Sequence, residues 1–341
     1  EVLGSGFASS TSGGMNSRLE EAFAKRFNQN FAITFNSGTT TLHAALEAFG
    51  VGYGDEVLVT PLTVISCMNA ILYCNAIPVF VDVDPNTFLM DPKDLENKIT
   101  SRTKAIMVVH LYGQVCDMTS IMKIADKNNL FVLEDCAQCY LGTHNGKLGG
   151  EIGHAGSWSF ENSKHLTCGD GGIVTTNNTE LAEKLRVMRV HGSKPKYYHH
   201  VIGGNFRLDP IQAAILLVKF PFLQEQHEKR RQNAAVYDSL LKDSVKKPFV
   251  KDGNYMIYNQ YTIRISNRDD LMTELNNYEI GNAVYYPVPL HLQQCFSHLG
   301  YKEGDCPESE AAANEVVSIP VFPELSKQEI EYVSEVINSF V

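Results

Sequence analysis

No apolar run in this 341-residue chain approaches the roughly 20 residues that a membrane-spanning helix needs, and its first residues lack a basic segment followed by an apolar core. Neither a membrane span nor a secretory leader is expected. The eight cysteines, at 67, 74, 116, 136, 139, 168, 295 and 306, are too scattered for a small disulfide scaffold and read as mostly buried free thiols of a reducing compartment. A cytoplasmic protein is the expectation. Glu1 stands where an initiator Met would, so a short preceding segment is also expected.

Basic charge is in short supply: 29 Lys and Arg against 39 Asp and Glu give a formal net charge of −10, which repels nucleic acid and anionic membrane on average. Small-molecule chemistry is expected instead. The chain has no internal repeat, no low-complexity tract, no G-x-S-x-G elbow, no H-E-x-x-H, and no ligand spacing among histidines 110, 154, 191, 199, 200 and 291. Metal catalysis is therefore not expected. Cys136-Ala-Gln-Cys139 spells a C-x-x-C, but its acidic flank, its place after the fifth strand candidate and the lack of a second pair disfavour redox and zinc roles. Gly4-x-Gly6 has no strand before it and is no dinucleotide fingerprint.

What is present is an ordinary globular composition, 44% hydrophobic and 20% charged, over a length that suits a large domain, 1–220, and a smaller one, 221–341. The opening Gly4–Gly14 reads as a loop before a helix over 16–27. Strand candidates follow at 31–35, 56–60, 77–82, 105–110, 130–134 and 173–176, with helices at 42–49, 64–74, 91–98, 118–128 and 180–189. Near-continuous apolar strands alternating with helices predict an α/β fold: a mostly parallel sheet covered on both faces, with its ligand at the carboxyl edge. The stretch 192–205 reads as a long polar loop. Beyond it, 209–220 and 221–242 read as consecutive helices. A strand at 260–265 with helices at 268–278 and 327–340 predicts a smaller C-terminal α/β domain.

Polar groups gather at the predicted strand ends. Lys164 lies between the strand candidate around Ser159 and Gly169-Asp-Gly-Gly172; it is either surface loop chemistry or a lysine able to capture an aldehyde cofactor. Asn36-Ser-Gly-Thr-Thr40 forms a strand, glycine turn and helix start, which either merely caps the helix or aims its first N–H groups at an anion. Asp135, just past an apolar strand, needs a partner if buried, and a structural salt bridge would serve. Paired with Lys164 it would instead supply the two groups that a pyridoxal phosphate enzyme requires, with Ser37, Gly38 and Thr39 at the phosphate.

The ordered series Asn36-Ser-Gly-Thr-Thr40, Gly54-Asp-Glu56, Pro78-Val-Phe-Val-Asp82, Thr103-Lys-Ala105, His110-Leu-Tyr-Gly113, Glu134-Asp-Cys-Ala-Gln138, Ser159-Phe-x3-Lys164 to Gly172, and Gly204-Asn-Phe-Arg207 resembles the DegT/DnrJ/EryC1/StrS family of sugar aminotransferases over nearly the whole chain. The resemblance implies a fold-type I pyridoxal 5'-phosphate enzyme, a homodimer with shared active sites, moving an amino group from glutamate to a nucleotide-linked keto sugar. A 4-keto-6-deoxy sugar on UDP, dTDP or GDP is the expected acceptor. Carried over residue by residue, Lys164 would bind the cofactor's aldehyde carbon and shuttle a proton, Asp135 would hold the pyridinium, and Gln138 would contact the phenolic oxygen. Gly38, Thr39 and Ser159 would bind the phosphate, joined by Asn205 from the other subunit; His291 would contact sugar or glutamate.

Two departures from the family pattern stand out. Val64 is aliphatic where many members stack an aromatic ring on the cofactor. Lys164 is followed by His165, and a related branch of sugar 3-dehydratases carries histidine in place of the lysine; alignment on Ser159-Phe160 and Gly169 puts Lys164 at the catalytic position, so aminotransfer is preferred. The alternatives are the dehydratase, a 3-keto sugar aminotransferase, or a non-catalytic cofactor-binding regulator.

Overall fold

A computed structural model describes residues 1–5 and 14–341. In chain order its elements are α1 (Val2–Ser5), α2 (Met15–Arg26), β1 (Phe31–Phe35), α3 (Gly38–Ala48), β2 (Glu56–Val59), α4 (Ile65–Tyr73), β3 (Ile77–Phe80), α5 (Pro92–Lys98), β4 (Thr103–Val109), α6 (Met118–Asn128) and β5 (Phe131–Asp135). There follow β6 (Thr143–His144), β7 (Lys147–Leu148), β8 (Ala155–Ser159), β9 (Gly172–Thr176), α7 (Thr179–Met188), α8 (Pro210–Lys219) and α9 (Leu223–Leu240). The chain closes with β10 (Asn254–Tyr255), β11 (Tyr261–Arg264), α10 (Arg268–Asn277), α11 (Pro307–Glu315), β12 (Val316–Ile319) and α12 (Lys327–Phe340).

The main sheet has strand order β1-β9-β8-β5-β4-β2-β3. The β2–β3, β2–β4, β4–β5 and β5–β8 pairs are parallel, and only β9 runs against its neighbours β8 and β1. This is the sheet that apolar strands separated by helices imply: β2, β8 and β9 are buried at every position, so both faces must be covered. The carboxyl ends of β1, β5 and β8 therefore lie on one edge. Because β9 is reversed, its first residue, Gly172, joins that edge opposite Phe35 and Ser159.

The smaller layer is the antiparallel pair β11–β12 with α10 and α12, the latter packed along α9. A capping box starts α12: Ser326 accepts from the Glu329 N–H, and the Glu329 carboxylate accepts from the Ser326 N–H. We propose the division at 220/221, which falls within the 3-10 turn Phe220–Phe222 between α8 and α9.

Several expectations need correction. Helix α3 begins at Gly38, four residues before the predicted Leu42, because Ser37 caps it. Gly4 and Ser5, read as loop, end α1, while residues 6–13 of that expected loop lie outside the described residues. Strands β6, β7 and β10, which form a three-stranded sheet, were not anticipated, since two-residue strands carry no readable period. Neither were β12 and α11.

Candidate active site

The start of α3 is built for an anion. Ser37 is in the extended conformation and its hydroxyl accepts the Thr40 N–H at 3.1 Å, while Thr41 N–H bonds the Ser37 carbonyl. The amides of Gly38 and Thr39 have no acceptor among the described residues and carry the positive end of an 11-residue helix. Gly38 is needed for closeness: a Cβ there would fall 2.6 Å from Ser159 Cβ and 2.8 Å from its Oγ. Thus the start of α3 and the end of β8 meet tightly, with Thr41 Oγ1 and Ser157 Oγ bonded at 2.6 Å between them. Thr39 Oγ1 reaches Ser66 Oγ of α4 at 2.9 Å.

Asp135 ends β5 and is only 3% exposed. Its Oδ1 accepts the Ala137 N–H at 3.0 Å and its Oδ2 accepts the Cys67 thiol at 3.3 Å. No cation touches it among the described residues. Burial therefore raises its pKa, opposed by those two donors and by the charges of Lys164 and His110. The same burial, with Asp135 beside it, pushes the Cys67 thiol well up and keeps it protonated. A buried carboxylate without a cationic partner, facing a cavity, fits the ring nitrogen of pyridoxal phosphate.

Lys164 lies in the loop between β8 and β9 and lines the same cavity, of about 340 Å³, as Ser37, Gly38, Thr39, Asp135, Gln138 and Ser159. Its main-chain N–H bonds the Glu161 carbonyl at 3.0 Å, but its ammonium has no hydrogen-bond or ion-pair partner among the described residues. The lysine, the carboxylate and the free amides thus offer one cavity an amine, a negative charge and an anion cradle. That donor set matches the aldehyde, ring nitrogen and phosphate of the cofactor.

Gln138 is oriented by tertiary contacts: its Oε1 accepts the Tyr112 N–H at 2.8 Å, so its amide nitrogen donates, reaching Tyr286 Oη at 3.1 Å. Tyr112 Oη in turn donates to the Tyr285 carbonyl. Tyr285, Tyr286 and Gln260, with Ser66, also line the cavity and were missed by sequence reasoning. The tyrosines immediately precede Pro287 and lie a few residues before the candidate His291, the one signal that could have found them. Val64 stands at the N-cap position of α4, without a side-chain cap bond, and lines the cavity.

Two candidates are not brought to the cavity wall. Asn205 is exposed, its carbonyl accepting from Asn36 Nδ2 at 3.2 Å. His291 is buried on the turn Leu290–Leu292 with its Nε2 2.9 Å from Glu310. Behind the site, His110, Glu134 and Cys136 bring metal-capable atoms within 4.8 Å of one another. Those atoms are already engaged: His110 Nε2 lies 2.8 Å from Glu134, its Nδ1 accepts the Cys116 N–H, and Glu134 also accepts from the amides of Gly150, Ile152 and Gly153. This network shapes the end of β5.

The model of the DegT/DnrJ/EryC1/StrS aminotransferase family matches residues 1–338. A pleiotropic regulatory protein of Geobacillus stearothermophilus is 50% identical, covering 95% of this chain and 88% of its own. The dTDP-3-amino-3,6-dideoxy-alpha-D-galactopyranose transaminase of Aneurinibacillus thermoaerophilus is 41% identical over 96% and 90%. A UDP-N-acetyl-3-dehydro-alpha-D-glucosamine 3-aminotransferase of Acidithiobacillus ferrooxidans is 43% identical over 88% and 82%. Among solved structures, S. venezuelae DesV in complex with a ketimine intermediate superposes with a TM-score of 0.96 at 34% identity, covering 99% of this chain and 92% of that one.

Proposed function

The chain belongs to the DegT/DnrJ/EryC1/StrS aminotransferase family, whose cofactor is pyridoxal phosphate, and from that premise we propose that it transfers an amino group from glutamate to a keto sugar carried on a nucleotide. The observation that carries this reading is one cavity in which the Lys164 ammonium, the Asp135 carboxylate and the amides of Gly38 and Thr39 stand together, the first without a partner, the second without a cation and the last without an acceptor among the described residues. Two of the relatives above have names that place nitrogen at C3 of the sugar, which supports a 3-keto acceptor over the 4-keto sugar first expected.

When bound, pyridoxal phosphate supplies the electron sink that allows a proton to be moved at the carbon bearing nitrogen. In this proposal Asp135 would keep the ring nitrogen positive, Gln138 would donate to the phenolic oxygen, and Gly38, Thr39 and Ser159 would hold the phosphate. Val64, which lines the cavity, would contact the ring. Lys164 would hold the aldehyde end and would carry the proton at the reacting carbon. Asn205, exposed and outside this protomer's cavity, suits a contact delivered to a second subunit in a homodimer. His291, tied to Glu310, serves the substrate only by shaping the adjoining turn.

Purified protein should show a visible absorbance band that bleaches on adding glutamate and returns with the correct nucleotide keto sugar. A band indifferent to glutamate would sink aminotransfer. A panel of 3-keto and 4-keto sugars on UDP, dTDP and GDP decides the acceptor.

A further inference from the structure

We propose that His227 on α9 is a positioning residue for Lys164, acting through a buried hydrogen bond to His165. The inference rests on the reading of Lys164 as the lysine that holds the cofactor.

His165 directly follows Lys164. The loop presents Lys164 to the cavity while the His165 ring is buried in the protein, where its Nδ1 lies 2.8 Å from Nε2 of the fully buried His227. The ring centroids are 4.8 Å apart. Burial, with Arg230 close to both, depresses both pKa values, that of His227 to about 3, so the rings are neutral and share one hydrogen between them. His165 Nε2 and His227 Nδ1 have no partners among the described residues.

Such a pair is a poor device for stability alone, because two apolar side chains would fill the space without stranding polar atoms. What a hydrogen bond adds is direction. It fixes the rotation of the His165 ring, and with it the backbone from which Lys164 projects. That backbone matters here because no hydrogen bond from the described residues holds the Lys164 ammonium.

Helix α9 is also the anchor for the opposite wall. Arg230 and Arg231 donate to the carbonyls of Tyr258 and Met256, at 3.4 and 2.7 Å, in the segment that leads to Gln260 in the cavity lining. Main-chain bonds such as Lys164 N–H to the Glu161 carbonyl close the lysine loop on itself, and its side-chain packing lies further along: Leu166 packs into the core and Lys219 donates to the Thr167 carbonyl at 3.0 Å. The histidine pair is the tie adjacent to the lysine, and it joins both walls to one helix.

The test strips the full chain of cofactor, adds pyridoxal phosphate and times the growth of the visible band, then the bleaching by glutamate. His227→Phe should slow both by about 10- to 100-fold, the loss typical of a displacement near 1 Å, with the glutamate KM unchanged. His227→Gln, whose amide nitrogen stands where Nε2 stands, should restore most of the rate. The double variant His165→Phe/His227→Phe should be no slower than His227→Phe. Tyr237→Phe, which removes an unpartnered hydroxyl elsewhere on α9, should match the wild type. Wild-type rates in His227→Phe, or equal slowing in Phe and Gln, would overturn the proposal. If His227→Phe does not fold, His165→Leu against His165→Asn replaces it: Asn should keep the rate and Leu lose it, and equal rates overturn the idea. A Lys164→Ala protein that still grows the band would refute the lysine assignment itself, an outcome separate from either.

Discussion

The Cys67 thiol donates to Asp135 Oδ2 at 3.3 Å, so the buried carboxylate at the end of β5 has a neutral partner and, among the described residues, no cation in contact. Burial raises its pKa, and a ligand that brings a positive nitrogen relieves that strain. Asp135→Asn keeps the shape and removes the charge. Single-turnover bleaching by glutamate should slow by about 100- to 1,000-fold, the cost of losing one preorganised electrostatic contact, while the cofactor remains bound.

Gly38 touches Ser159 so closely that a Cβ would stand 2.6 Å from another Cβ. In Gly38→Ala either the start of α3 or the end of β8 must move, opening the anion cradle. Absorbance titration should give a cofactor Kd raised about tenfold or more, or ~1.4 kcal/mol. Gly52→Ala, where the space is open, should leave it unchanged.

Glu134 accepts from His110 and three main-chain amides while fully buried. Glu134→Gln turns one acceptor end into a donor facing donors. Urea unfolding should show a loss of about 3–5 kcal/mol, as for breaking other buried charged networks.

His165 and His227 make stability fall in acid. Their folded pKa values are depressed, so as pH drops below the ordinary value near 6.5 the unfolded chain takes up protons first. The contribution is present above about pH 6.5 and is lost toward the folded value, about 3 for His227, at up to ~1.4 kcal/mol per pH unit for each ring. Urea unfolding free energies should drop between about pH 7 and about pH 5, and drop less in His227→Gln.

Much of the fold was legible because its signals are local. Apolar runs such as Glu56–Val59 and Phe131–Asp135 are buried on both faces, and Ser37 or Ser326 caps a helix through atoms three residues away. Helix starts were read a few residues late where, as at Gly38, the first turn carries no apolar period. The two-residue strands β6, β7 and β10 left no pattern to read.

By itself, then, the sequence determined the alternation of strand and helix, and with it the edge where Ser37, Gly38, Asp135, Ser159 and Lys164 gather, since side chains at strand ends follow from chain direction alone. Tertiary structure decided what those residues meet. Cys67 as the partner of Asp135, Tyr286 against Gln138, His227 against His165 and the turning of His291 to Glu310 join positions from 19 to 148 residues apart. No local period reports such contacts, because they depend on how packed layers bring distant side chains within hydrogen-bond reach.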